Sequence, residues 1–565
     1  MPDFLNYLKR PFMVVVLTFV LTSAASAANE DYVALPPFLS AEVKPNVLLV
    51  MDFSGSMQAP AYFGTSSSTA NYWGSYVWDY AYTVGTVHEN YDSNTTYYGY
   101  FDTDAYYSYS DSGDYWYDNG NTGTGIGNVD NLSGNFLNFL VMSRIDVALK
   151  SLIGGKADCS NDTYCLLRPQ GSRRYIVDSN LNIEGYIRPE SYNTGYYTNK
   201  DILITIENEG GASTIGTFSG RSARVRINPE DREGIVQKNA DKVRFAFIPY
   251  ANNSNNDARQ GTIKYGVHED DWDTLVSEME TTLPYSGTHT GEAMDEAYDY
   301  LKQEQLNWYN DDDYEDKESE VDPYYELNDD GTVEPAWCRK SYVVLISDGQ
   351  WNGSEDPAEW AHKLNTEDLR ETDDGGDNDQ FPGNQNGEVF SLFAFSGNIE
   401  GERSMKTVAA HGNYNEKDAC SDNTPYDFDI LNDSYNDSID VTYPRPNCDP
   451  NGTYDDCCTE WDEDGDGVPD AYYSASNGEE MAVALSKIFG TIRQGTSSGT
   501  SVTAITSKST SGSAVTQAVF YPEKEFDDGR RVVWTGNVFS DWYLNAYIES
   551  SLVQNIREDT DGDYI

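Results

Sequence analysis

The sequence predicts an α/β protein whose core is a doubly wound, mostly parallel sheet with large loop and β insertions, followed by a β-rich C-terminal segment. Two unbroken apolar runs, at 47–51 and 342–346, have the composition of strands buried on both faces. Helical and strand patterns alternate along the chain between 134 and 492, which indicates a parallel core. Both apolar runs end in polar turns, at the edge where ligands bind such sheets.

The period of the apolar residues predicts the individual elements. The segment from Gly134 has apolar residues at helical spacing until Gly154-Gly155, which predicts one amphipathic helix that follows the opening strand once the insertion between them is left out. Further helices are expected at 291–302, 358–369, 405–411 and 479–492, and further strands at 243–248 and 389–395.

A secretory signal peptide is expected at 1–27. Lys9 and Arg10 precede an apolar run that is too short for a comfortable membrane span, and Ala25-Ser26-Ala27 suits a cleavage site. No other long apolar segment follows, so the mature chain is predicted to have no membrane span and to pass through the periplasm during export.

The exported part is expected to consist of a linker, one large domain and a β-rich segment. These are placed at 28–45, 46–493 and 494–565, and the large domain carries insertions at about 58–133, 155–240, 303–338 and 412–471. The first insertion is rich in Tyr, Gly, Ser, Asn and Asp and has no sustained helical period. The chain stops inside an acidic loop that starts at Asp559, which suggests a fragment or degraded relic of a longer protein.

The charge and the cysteines narrow the class of partner and the compartment. The chain of 565 residues has 94 acidic and 37 basic residues, a net charge of −57 that repels a nucleic-acid backbone, so no nucleic-acid partner is expected. In an oxidising compartment, Cys159 and Cys165 are close enough to bridge a small loop. The pairing of the others stays open, and an odd count of seven leaves at least one thiol free or paired between chains: Cys338, Cys420, Cys448, Cys457 and Cys458.

Three oxygen-bearing side chains follow the first apolar run at alternate positions. Asp52, Ser54 and Ser56 lie on a turn that Gly55 allows to be tight. Two interpretations fit: a seat for Mg²⁺ or Mn²⁺, or an ordinary strand-to-helix turn in which a serine caps the helix. The second apolar run leads to Asp348. If the two runs are strands 1 and 4 of a sheet of order 3-2-1-4-5-6, they are neighbours and the two aspartates can share a metal, which favours the first interpretation.

Three polar turns together resemble a known site. DFSGSM, the threonine at 288 in SGTHTG, and LISDG are similar, in this order, to the metal-ion-dependent adhesion site of von Willebrand factor A domains. The resemblance implies a von Willebrand factor A-like domain in which Ser54, Ser56 and Thr288 supply hydroxyl ligands to Mg²⁺ or Mn²⁺. It implies carboxylates from Asp52 and Asp348, directly or through water. In that family an acidic group of a partner can complete the coordination of the metal.

A narrower resemblance covers most of the chain. The GNFLNF…SRIDVALK…GG and VVWTGNVFSDWYLNAY segments are similar to the PilC/PilY family of type IV pilus tip proteins. Members have a signal peptide, an A domain with insertions and a C-terminal β-propeller; the likeness here runs to the approach to the propeller, which is missing. The resemblance implies minor pilins and a host or abiotic surface as partners, and a place at the pilus tip, the cell surface or the outer membrane.

A second metal site is predicted in an acidic loop. Oxygens at positions 1, 3, 5 and 9, with glycine at position 6, match an EF-hand-like calcium loop. Position 12 is Tyr473, so the bidentate closing ligand is absent and the loop is a shortened one. The alternative is an acidic glycine turn without metal. The predicted Ca²⁺ ligands are Asp462, Asp464, Asp466, the carbonyl of Val468, and Asp470.

No enzyme is expected. The five histidines form no H-E-x-x-H pair, and the G-x-S-x-G match around Ser497 follows a helix instead of a strand. The predicted function is that of a secreted metal-dependent adhesin or pilus-biogenesis factor at the type IV pilus tip. The alternatives are an extracellular structural scaffold with an A domain unrelated to pili, and a metal-dependent hydrolase.

Overall fold

The computed structural model describes residues 43–63, 90–123, 125–161, 163–170, 174–189, 201–251, 261–268, 272–285, 287–304, 306, 308, 321–327, 331–370, 381, 383–395, 399–414, 460–463, 465–497, 512–525, 531–548 and 551–558. The predicted signal peptide and residues 28–42 of the predicted linker lie outside these ranges.

The strands, in chain order, are β1 (Asn46–Asp52), β2 (Ala105–Ser110), β3 (Tyr115–Thr122), β4 (Gly127–Asn128), β5 (Asn131–Ser133), β6 (Ala157–Asn161), β7 (Tyr164–Leu167), β8 (Arg174–Asp178), β9 (Ile183–Pro189), β10 (Ile202–Asn208), β11 (Phe218–Ser222), β12 (Val225–Ile227), β13 (Arg244–Tyr250), β14 (Tyr325–Leu327), β15 (Val333–Pro335), β16 (Ser341–Ser347), β17 (Gly387–Ala394), β18 (Tyr472–Ala475), β19 (Gly512–Glu525), β20 (Arg531–Ile548) and β21 (Ser551–Glu558). The α-helices are α1 (Gly134–Val141), α2 (Arg144–Ile153), α3 (Ile235–Asn239), α4 (Trp272–Thr281), α5 (Thr290–Lys302), α6 (Pro357–Thr366), α7 (Ile399–Gly412) and α8 (Gly478–Ser497). Short 3₁₀ helices lie at Gly55–Gln58 and Pro229–Asp231.

The central sheet has five parallel strands in the order β13-β1-β16-β17-β18. All seven residues of β1 are buried, as its unbroken apolar run predicts. Its neighbour β16 is the second apolar run, and the two strands pair in parallel from Asn46 opposite Ser341 to Met51 opposite Ile346. The prediction of a parallel α/β core with these two strands side by side is confirmed.

Helices pack against this sheet and close its hydrophobic core. Helix α5 contacts β1 and β13, α4 contacts β13, and α6 and α7 contact β17. Fully buried apolar side chains from strands and helices, among them Leu49, Met294 and Val408, belong to one cluster. Burial of this apolar surface stabilises the sheet, so the turns that leave its carboxyl edge start from fixed positions.

The segment from Gly134 is two helices, which corrects the expectation of one. Ser143 has an extended backbone, with φ −97° and ψ 167°, and its hydroxyl accepts a hydrogen bond from the N–H of Asp146. The side chain of Asp146 in turn accepts from the N–H of Ser143, which completes a capping box. The capping box starts a new helix and turns the chain, a preference that outweighs the continuous apolar period.

Strands from the predicted insertion before α1 and from the one after α2 pair in a single sheet, which forms one layer of the fold. A seven-stranded sheet has the order β4-β5-β2-β3-β12-β7-β6, so β2–β5 from the first insertion pair with β6, β7 and β12 from the second. A second hydrophobic cluster fills the space around it and includes Trp116, Leu132 and Val225. The indole N–H of Trp116 donates to the carbonyl of Ser222 at 2.8 Å. The tyrosine-rich insertion therefore contains a packed sheet in its described part.

Strands β19, β20 and β21 form an antiparallel sheet, which agrees with the predicted β-rich C-terminal segment. These strands belong to a compact unit other than the one formed by Lys44–Thr496. Across the part of the chain that the structure describes, no helix is long and apolar enough to cross a membrane.

The disulfide expected between Cys159 and Cys165 is present and closes the turn between β6 and β7. Cys338 is exposed and free. The remaining four cysteines, at 420, 448, 457 and 458, lie outside the described residues.

Candidate metal centre

Three turns meet at the carboxyl edge of the central sheet. In the turn after β1, the carbonyl of Phe53 accepts a hydrogen bond from the N–H of Tyr285 at 2.6 Å, which ties this turn to the segment that leads to Thr288. The turn at Thr288 is tied to the turn after β16, since the N–H of Asn352 donates to the Thr288 carbonyl at 2.7 Å and the Thr288 N–H donates to Oδ1 of Asn352 at 3.1 Å. Backbone hydrogen bonds therefore join turns that lie far apart in the sequence.

Four of the five predicted ligands form one hydrogen-bonded cluster. The hydroxyl oxygens of Ser54 and Ser56 are 2.8 Å apart, and Ser56 donates to Oδ1 of Asp348 at 2.7 Å. The backbone N–H of Ser54 donates to Oδ1 of Asp52 at 2.7 Å. Thr288, the fifth predicted ligand, is buried, and its backbone is joined by two hydrogen bonds to Asn352 in the turn after β16.

Two polar neighbours of this cluster were not among the predicted site residues. Ser347 donates its hydroxyl to Oδ2 of Asp52 at 2.8 Å. Arg144, the first residue of α2, places Nη1 2.6 Å from Oδ2 of Asp348. The expected single helix from Gly134 places position 144 in its interior, so the sequence carries no signal for this arginine; only the helix start at Ser143 brings it to the centre.

Burial dominates the electrostatics of the centre. Burial, together with the negative charge of Asp348, raises the pKa of Asp52 to about 7, against the opposing hydrogen bonds from Ser54 and Ser347. Burial also raises the pKa of Tyr250, which lies next to this carboxylate on the neighbouring strand. Two carboxylates enclosed so closely repel each other, and a cation between them would relieve that repulsion.

The donors in the centre are all oxygen atoms, from two carboxylates and from serine and threonine hydroxyls. Hard oxygen donors suit Mg²⁺ or Mn²⁺ and do not suit softer, thiolate-binding metals. Among the described residues, no group of three or more His, Cys, Asp or Glu side chains is arranged to hold a metal. The centre has only two acidic side chains, so its ligand set would depend on the hydroxyl groups.

The predicted calcium loop is folded around the first aspartate. The buried carboxylate of Asp462 accepts from the N–H groups of Gly465 at 2.9 Å, Asp466 at 3.1 Å and Gly467 at 2.7 Å. The two glycines have φ of 74° and 86°, a left-handed conformation that other residues rarely adopt. The loop therefore turns tightly around this carboxylate.

Three further positions of this loop can be placed. Asp466 accepts from the N–H of Val468 at 2.8 Å, and Asp470 accepts from the N–H of Glu463 at 2.8 Å. Asp464 lies outside the described residues. Each of these bonds fixes one carboxylate against the backbone of the loop, and calcium binding by the loop stays a prediction.

The fold and the centre together define a mixed α/β protein with an oxygen-rich cluster at the carboxyl edge of a parallel sheet. Residues 88–233 match the family model described as "PilY1 homolog, small alpha/beta domain". The matched stretch contains β2–β12 with α1 and α2. It is less than half of the chain, so the match is a similarity of this stretch to that domain.

Two further comparisons add little. No curated protein matches the chain. A solved structure, proximal thread matrix protein 1 from the mussel byssus, is similar at 14% identity over 30% of this chain and 29% of that chain, with a TM-score of 0.17. A likeness at this level carries no argument about fold or function.

Proposed function

We propose that this protein is an exported, metal-dependent adhesin or biogenesis factor of the type IV pilus tip. The observation that carries the proposal is the cluster of Asp52, Ser54, Ser56 and Asp348 at one edge of the parallel sheet. The family match at 88–233 supports a pilus-associated role. The proposed activity is binding, without catalytic turnover.

Within this proposal the domain is von Willebrand factor A-like. The four clustered residues and Thr288 hold Mg²⁺ or Mn²⁺, because their carboxylate and hydroxyl oxygens are the donors that these ions prefer. A cation bound there would offer an open coordination position to an acidic group of a surface or partner. The side chains of Ser347 and Arg144 orient the two carboxylates from outside the ligand set.

The proposed partners are minor pilins and a host or abiotic surface that presents acidic groups. The proposed location is the pilus tip, the cell surface or the outer membrane after export through the periplasm. Cells that lack the protein but show normal piliation and twitching would favour the extracellular scaffold alternative instead.

The sharpest test of the centre is Asp52→Asn. This substitution is expected to weaken Mg²⁺ and Mn²⁺ binding at least about tenfold, because the ligand set loses a negative charge. Asparagine keeps an acceptor for the Ser54 N–H and a polar partner for the Ser347 hydroxyl, so the fold should persist. Isothermal titration calorimetry of the full chain measures the affinity, and circular dichroism checks the fold.

Asp178→Asn is the matched control for that test. Asp178 is also buried and also accepts backbone N–H groups, from Tyr91 and Asn180, but it belongs to β8 in the four-stranded sheet. Its substitution should leave cation affinity unchanged. Wild-type affinity in the Asp52→Asn protein would contradict the assignment of the centre.

For the second site, the double substitution Asp466→Asn and Asp470→Asn is expected to lower Ca²⁺ affinity at least about tenfold, because two ligand charges are lost. Asparagine oxygens can still accept from the N–H groups of Val468 and Glu463, so the loop backbone should be retained. Calcium titration calorimetry measures the change. Glu463→Gln, an exposed acid at a non-ligand position, is the control, and an equal loss there would point to surface charge instead of a built site.

A further inference from the structure

Arg144 brings a permanent positive charge into the candidate metal centre. Its Nη1 donates to Oδ2 of Asp348 at 2.6 Å, and the Ser56 hydroxyl donates to the other carboxylate oxygen, Oδ1, at 2.7 Å. The side chains of the arginine and aspartate are 7% and 0% exposed. Because water screens such a pair poorly, its charges act strongly on each other and on any further ion nearby.

Among the contacts of the guanidinium, the ion pair with Asp348 is the one that holds Arg144 in this position. Arg144 opens helix α2, where the helix dipole disfavours a cation. Its buried Nε has no hydrogen-bond partner among the described residues. The acid on the same helix, Asp146, is occupied by Ser143 and by the N–H of Gln170. The ion pair with Asp348 therefore offsets an otherwise unfavourable position.

The charges of the centre can be counted from these contacts. Asp348 is paired with a cation, whereas the bonds to Asp52 from Ser54 and Ser347 come from neutral donors. With both carboxylates ionised, the guanidinium leaves the centre one net negative charge, where two carboxylates alone would leave two. A divalent cation added to the three groups makes the centre net positive.

We propose that Arg144 is a built-in counter-ion that balances this centre when no divalent cation is bound and that weakens its affinity for one. The inference rests on the proposed function, since it requires the centre to take up a cation. The protein would then fold without the metal and bind it reversibly. The residual positive charge of the loaded centre would favour a carboxylate on the partner.

The test is Arg144→Met in the full chain, which removes the charge and keeps most of the side-chain volume. We expect Mg²⁺ and Mn²⁺ to bind at least about tenfold tighter by titration calorimetry, since the repulsion from the guanidinium is lost. We also expect a lower thermal midpoint in EDTA, with a larger recovery on adding Mg²⁺ than in the wild type, because two buried carboxylates then lack a cation. Arg144→Lys, which keeps the charge, should bind like the wild type.

A second variant guards against loss of folding. Arg144→Gln retains an N–H donor for Asp348 without the charge and should tighten cation binding in the same direction. Arg174→Met is the matched control, since Arg174 is also buried but donates to the carbonyls of Phe139 and Tyr62; its affinity for the cations should stay at the wild-type value.

The outcomes separate this inference from the proposed function. Wild-type or weaker cation affinity in folded Arg144→Met and Arg144→Gln overturns the counter-ion role, while binding by the wild type leaves the adhesion centre standing. Absence of Mg²⁺ and Mn²⁺ binding in the wild type and in both variants overturns the two together.

Discussion

Asp348→Ala is expected to lower the free energy of unfolding by about 3–5 kcal/mol, the usual cost of leaving one partner of a buried ion pair alone. The substitution removes the carboxylate that holds Arg144 at the start of α2, and the guanidinium stays behind in a site that is 7% exposed. The Ser56 hydroxyl loses its acceptor as well. Urea unfolding of the full chain, followed by circular dichroism, measures the change.

Two further variants show whether the loss comes from the unpaired charge. Combining Asp348→Ala with Arg144→Met removes both charges and should restore most of the stability, so the two substitutions should be strongly non-additive. Glu359→Ala breaks a partly exposed pair with Lys363 at 2.9 Å and should cost less than about 1 kcal/mol. A loss in Asp348→Ala no larger than in Glu359→Ala would refute the buried ion pair.

The same ion pair decides how the metal centre can be tested. Removing Asp348 changes stability through Arg144 whether or not a metal binds, so a loss of adhesion in that variant would have two explanations. Asp52 has no such cationic partner among its contacts with Ser54 and Ser347. Its replacement by asparagine is therefore the cleaner probe of cation binding.

Asn138→Ala is expected to lower the free energy of unfolding of the layer formed by the two insertions by at least about 3 kcal/mol. Each buried backbone group left without a partner costs roughly 1–3 kcal/mol. Asn138 is fully buried in α1. Its Oδ1 accepts from the N–H of Phe101 at 3.0 Å, and its Nδ2 donates to the carbonyls of Tyr97 at 2.7 Å and Phe101 at 2.8 Å. One side chain thus satisfies three backbone groups of the tyrosine-rich segment.

Amide hydrogen exchange provides a local measurement of that effect. The N–H of Phe101 should exchange faster in Asn138→Ala, alongside the lower free energy of unfolding. Asn121→Ala is the control, because Asn121 is exposed and bonds only locally to Asn119 through the contacts described. It should change stability by less than about 0.5 kcal/mol. Equal effects of the two substitutions would show that the amide network contributes little.

Much of the core was predictable because its signals are local. The unbroken apolar runs at 47–51 and 342–346 predict strands buried on both faces, and β1 and β16 are such strands. The polar residues that end them predict where side chains leave the sheet, and the parallel pairing of the two strands brings Asp52 and Asp348 to one edge. The position of each aspartate after its strand, together with the order of the two strands in the sheet, was sufficient to predict that the aspartates share an edge.

Other features depend on contacts between distant segments. The apolar period continues through Met142 and Ser143, yet the capping box with Asp146 divides the segment into two helices. Strands of two separate insertions form one sheet around Trp116. The period of the apolar residues depends on neighbours in sequence, so it carries no information about a partner that lies a hundred residues away.

The sequence by itself determined the parallel α/β core, the oxygen-bearing side chains of the candidate centre and the small disulfide, because strand burial, turn composition and cysteine spacing are local properties. Only the tertiary structure decided the charge of the centre. Arg144 and Asp348 are 204 positions apart, and nothing in either local sequence names the other as its partner. The two residues pair because strand β16, which leads to Asp348, ends at the edge of the sheet where helix α2 begins with Arg144. At this buried edge a single charge is decisive.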